Sequence, residues 1–87
     1  MEFIKVEDGY FLRLLIDQKL NATLAQFAID KQIPSGFFHG LGALKNCELG
    51  FYHLHSKSYD RKMFTSEMEL LNITGNISWF EGKPVVH

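Results

Sequence analysis

The sequence predicts an α+β fold, with one helix packed on a mainly antiparallel β-sheet. Three observations carry that prediction. Residues 20–33 place their apolar side chains at helical spacing and end at a proline. The rest of the chain breaks into short apolar runs of strand length. Most of those runs are separated by two- or three-residue polar turns, which join antiparallel neighbours and are too short for crossover connections.

Taken in order, YFLRLLI at 10–16 reads as a strand. Tyr10, Leu12, Leu14 and Ile16 share one face, and Phe11, Arg13 and Leu15 the other. Both faces are mostly apolar, so an interior position is expected. In the helix LNATLAQFAIDKQI, residues 20–33, the stripe Leu20, Leu24, Phe27 and Ala28 would cover the sheet. Asn21 or Asp17 is the expected cap, and Pro34 the expected stop.

After the helix comes GFFHGLGAL, residues 36–44, where Gly36, Gly40 and Gly42 interrupt an apolar strand at 37–44. Glycine inside a strand marks a bulge, a bend or a close backbone approach. A Lys45-Asn46 turn leads to the run CELGFYHL at 47–54, giving a hairpin. Ser56-Lys57-Ser58 is a second turn, before YDRKMF at 59–64. EMELLNITG at 67–75 and NISWF at 76–80 follow. KPVVH at 83–87 comes after a Glu81-Gly82 turn. There is no internal repeat or low-complexity tract, and a single domain over 1–87 is expected.

Composition limits the function classes. The 87 residues are 46% hydrophobic, more apolar side chain than a small lone core absorbs, so part of it is expected to face a partner subunit. Nine basic residues balance ten acidic ones, with no basic stripe, which argues against strong non-specific affinity for nucleic acid. The single Cys47 excludes an internal disulfide and fits a reducing cytoplasm. No signal-peptide or membrane-spanning run is present in the sequence. The N-x-[ST] triplets at Asn21, Asn72 and Asn76 therefore read as chance.

No catalytic constellation is evident. His53 and His55, two apart, have the spacing of a metal-binding pair, but the turn that follows makes them solvated histidines at a hairpin tip. His39, between Phe38 and Gly40, is an interface histidine or a ligand. The glycines do not match G-x-G-x-x-G, and no helix follows to meet a phosphate. Cys47 reads as a buried, inert thiol, and Glu67 and Glu69 as a solvated strand face. Trp79 and Phe80 read as the closure of a core edge or interface.

Three motifs nonetheless occur in a recognisable order. They are G-x-G-A-L at Gly40, Gly42, Ala43 and Leu44; the run from Glu69 to Ser78 that includes Gly75 and Asn76; and G-K-P-x-x-H from Gly82 to His87. With the segments around them they cover nearly the whole chain, which resembles the PPC (plant and prokaryote conserved) domain family. The resemblance implies a twisted, largely antiparallel sheet with one packed helix and a homotrimeric assembly. In this family those motif residues lie in or near strand and subunit contacts. It also implies that the family's C-terminal strands are lacking here, together with histidines that bind a metal, usually zinc, in several members. Only His87 of that set is present, and His39 is the one residue that could join it.

The family carries a candidate DNA-binding label, though the AT-hook that often accompanies it is absent. The expected function is therefore a stand-alone, homo-oligomeric interaction module with a candidate DNA-binding or regulatory role, and not an enzyme. The alternative is a zinc-dependent small-molecule enzyme of lyase type, by analogy with acetolactate decarboxylase, which has a similar fold. No membrane partner is expected.

Overall fold

The computed structural model describes all residues, 1–87. It contains, in chain order, β1 (Glu2–Val6), β2 (Gly9–Arg13), α1 (Leu20–Asp30), β3 (Gly36–Leu44), β4 (Cys47–His53), β5 (Ser58–Phe64), β6 (Met68–Phe80) and β7 (Lys83–Val86). The architecture is α+β: one helix and three sheets, ordered β1-β2, β3-β6-β7 and β4-β5, in which β1–β2, β4–β5 and β6–β7 pair antiparallel. The chain divides into two compact units, Met1–Phe38 with Gly75–His87, and His39–Thr74. Strands β3 and β6 contribute residues to both.

In the first unit, α1 packs on β7. The buried residues Leu24, Phe27 and Ala28 are three and four apart, the stripe expected from the sequence. Phe27 also meets the edges of Phe3 and Tyr10, with ring centroids 5.4 and 4.9 Å away. Burying an aromatic ring of this size contributes about 1.5–3 kcal/mol.

Strand β1 was not expected, and β2 is shorter than the predicted strand 10–16. The chain leaves β2 after Arg13 and turns over Leu15–Gln18. Asp17 has φ 70°, and Gln18 is held by both its amide and its side chain to Leu15. Ile16 therefore sits on a turn and is 93% exposed, and β2 is paired on one side only, by β1.

Helix α1 ends earlier than Pro34 requires. Gln32 adopts φ 53°, Ile33 N donates to Ala28 O at 2.9 Å, and Gln32 N donates to Ile29 O at 3.2 Å. This is a Schellman closure, in which a left-handed residue lets its own amide and the next one satisfy the last helical carbonyls. At the other end Lys19 occupies the N-cap position without a side-chain cap, and neither Asp17 nor Asn21 takes that role.

The two predicted strands 67–75 and 76–80 form one 13-residue strand, β6. Gly75-Asn76 looks like turn punctuation in the sequence, but it lies inside the ladder. Asn76 and His87 exchange both backbone hydrogen bonds, at 2.7 and 2.9 Å, extending the β6–β7 pairing beyond Ile77–Val86. The β6–β7 turn, Glu81-Gly82, has φ of 51° and 77°, the left-handed pair that a two-residue hairpin loop favours. Trp79 ties the strand to the helix end, its indole N–H donating to Ile33 O at 2.7 Å.

In the second unit, β4 and β5 form a two-stranded ribbon of seven pairs, from Cys47–Phe64 to His53–Ser58. No residue of either strand is buried.

Candidate functional site

The residues singled out in the sequence lie on β3, β6 and the end of β7. On β3, Phe38 and Gly40 are half-buried, while Phe37, His39 and Leu41 alternate with them and are exposed, Phe37 by 83% and Leu41 by 81%. His39 thus lies in an apolar, solvent-facing row. Ala43 is exposed and Leu44 half-buried.

Within the chain, Gly40 and Gly42 of this strand are not crowded. A side chain added at Gly40 would meet only Ile73 Cγ2 at 3.8 Å, and one at Gly42 would meet nothing within 4 Å. The demanding glycine is Gly75. A Cβ there would fall inside the envelopes of the Phe38 ring edge and the His87 carbonyl oxygen. Asn76, the next motif residue, is the one that pairs with His87.

No group of three or more His, Cys, Asp or Glu side chains is placed to hold an ion. His39 lies on β3, and His87 enters the β6–β7 ladder through its backbone.

His53 and His55 do not act as a pair. His53 ends β4 and its Nε2 lies 2.7 Å from Asp60 Oδ2, while His55 sits in the four-residue loop 54–57. Cys47 is half-buried rather than buried.

Two features of the second unit were not evident in the sequence. The first is an open groove of about 550 Å³ lined by Leu41–Ala43 and by Glu67–Leu71. Its rim pairs exposed leucines with Glu67 and Glu69, and neither glutamate has an ion-pair partner. The second is the arrangement of the β4–β5 ribbon. One face carries Leu49, Phe51, Lys62 and Phe64, with His53 bonded diagonally to Asp60. The other carries Tyr52 beside Tyr59, centroids 4.9 Å apart. There Arg61 lies over the Tyr59 ring and bonds Glu48 at 3.0 Å. Both faces are visible only once the 54–57 loop fixes the register.

The comparisons with known proteins agree with this architecture. The chain matches the family model of the Plants and Prokaryotes Conserved (PCC) domain over residues 1–87, and it belongs to that family, the one its motifs resemble. Among solved structures it is similar to a candidate DNA-binding protein from Ralstonia eutropha JMP134. That match has 36% identity and a TM-score of 0.93, over 98% of this chain and 58% of the other. It is similar as well to a candidate DNA-binding protein from Bacteroides thetaiotaomicron, at 31% identity and TM-score 0.92, over 99% and 60%. A metal-containing protein from Archaeoglobus fulgidus matches at 30% identity and TM-score 0.86, over 99% and 61%. The chain thus spans about 60% of the length of these relatives. No curated protein matches it. No helix is long and apolar enough to cross a membrane.

Proposed function

We propose that this chain is a self-associating interaction module whose biological role is to organise a regulatory, DNA-linked assembly. The observation that carries the reading is the imbalance of its apolar surface. Three hydrophobic residues are buried, whereas twenty large ones are exposed, among them Ile4, Phe11, Phe37, Leu41, Phe51 and Leu71. Large apolar side chains exposed in this number point to surface that a partner covers. The family resemblance favours three copies.

Sedimentation tests the assembly: a species of three chain masses is expected at micromolar concentration, and a monomer throughout would contradict it. The DNA link rests on the similarity to candidate DNA-binding proteins. It predicts retardation of duplex DNA at low ionic strength that fades as salt rises. Absence of retardation at the lowest salt would remove it, because phosphate contacts are strongest there.

A further inference from the structure

Asp8-Gly9 is the one place in the chain where an aspartate or asparagine precedes a glycine. Glu7 and Asp8 form the two-residue loop of the β1–β2 hairpin, and Gly9 opens β2 opposite Val6. Both loop residues keep negative φ, whereas a two-residue hairpin loop favours left-handed angles that match the twist of its strands. The loop is therefore poorly matched to the ribbon it closes, and that ribbon has only two strands. Its tip opens at low cost.

An aspartate carboxyl carbon can close a five-membered ring with the amide nitrogen of the next residue. A Cβ on that next residue hinders the closure, and glycine has none. The surroundings of Gly9 leave room as well, since a Cβ there would meet nothing within 4 Å. Lys5 Nζ stands beside the loop, donating to Val6 O at 3.1 Å and to Gly9 O at 3.2 Å. Its charge favours the loss of a proton from the Gly9 amide as the ring closes.

We propose that Asp8 is a site of spontaneous backbone isomerisation. The Gly9 nitrogen attacks Cγ of the protonated Asp8 carboxyl. A C–N bond forms, the Cγ–OH bond breaks, and the hydroxyl leaves with the amide proton as water. Water then reopens the succinimide at either carbonyl. Cleavage of the Cγ–N bond restores aspartate. Cleavage at the α-carbonyl leaves the chain running through Cβ and Cγ, an isoaspartyl linkage. Nothing is oxidised or reduced, and water is the sole co-reactant. The added backbone carbon lengthens the loop. Lys5 then no longer bridges Val6 and Gly9, and the register that sets Phe3 and Tyr10 against Phe27 is lost. The turn is thus a slow covalent clock acting on the packing of α1. This chemistry needs no second copy of the chain.

Ageing the purified 87-residue chain in mildly acidic buffer tests the site. Tryptic cleavage after Lys5 and Arg13 releases residues 6–13 as one peptide. Enzymatic methylation of isoaspartyl carboxylates with a labelled methyl donor should place about tenfold more label there than in any other peptide. Gly9→Ala should cut that label about tenfold and keep the fold, because the added methyl meets open space. Amide hydrogen exchange in β1 and β2 should rise in proportion to the isoaspartyl fraction. No label in residues 6–13, or equal label in the parent and Gly9→Ala, would overturn the proposal. Label that forms only in urea-unfolded chain would overturn it too, since the folded turn then protects Asp8. Label with unchanged exchange in β1 and β2 would overturn the effect on packing. If circular dichroism shows that Gly9→Ala misfolds, Asp8→Asn takes its place. Ammonia leaves the amide more readily than water leaves the acid at neutral pH, so label should appear about tenfold faster, and equal rates count against ring closure.

Discussion

Gly75 lacks a side chain where the Phe38 ring edge and the His87 carbonyl oxygen already occupy the space one would take. The contact joins strand β3, strand β6 and the end of the β7 ladder in a single packed point. Gly75→Ala should destabilise the fold by about 1–3 kcal/mol, since overpacking forces the ring or the backbone aside. Gly40→Ala, with Ile73 Cγ2 at an ordinary 3.8 Å, should stay within about 1 kcal/mol of the parent. Thermal melts of the two variants at equal concentration check this contrast.

Gln32 holds a left-handed conformation that an L side chain adopts at a cost. Gln32→Gly should keep the Schellman closure and raise stability by about 1 kcal/mol. A lowered melting temperature would show that the Gln32 side chain contributes more than its backbone strain removes.

Lys19 is a poor N-cap residue, with extended backbone angles of φ −80° and ψ 128° and no side-chain bond to the helix. Lys19→Asp should supply an acceptor for the free amides of the first turn and favourable charge at the helix start. The gain is about 1 kcal/mol, which in a domain of this size raises the melting temperature by about 4–8 °C.

The helical stripe was legible because Leu24, Phe27 and Ala28 obey a period that no strand shares. The β6–β7 and β4–β5 hairpins were legible from Glu81-Gly82 and Ser56-Lys57-Ser58, where Glu81, Gly82 and Lys57 take left-handed angles, whereas the hairpin expected at Lys45-Asn46 does not form: β3 pairs with β6, and β4 with β5. The helix end was not, because Gln32 carries no compositional sign of a left-handed conformation and Pro34 offered a more conspicuous stop. The strand break placed at Gly75-Asn76 went astray for a related reason: glycine signals a turn and a close contact alike, and only packing distinguishes them. The His53–Asp60 and Arg61–Glu48 pairs depend on hairpin register, which follows from the length of the 54–57 loop. Surfaces were the least legible. Phe37, Leu41 and Phe51 lie in apolar runs of the sequence, and only the folded chain shows that all three are exposed.

The most direct test of self-association is the molecular mass of the 87-residue chain in solution by sedimentation equilibrium, measured across a hundredfold range of concentration. The account predicts a reversible assembly of about 30 kDa, three copies of the 10.0 kDa chain, that dissociates on dilution. A single species of 10.0 kDa at every concentration would contradict it.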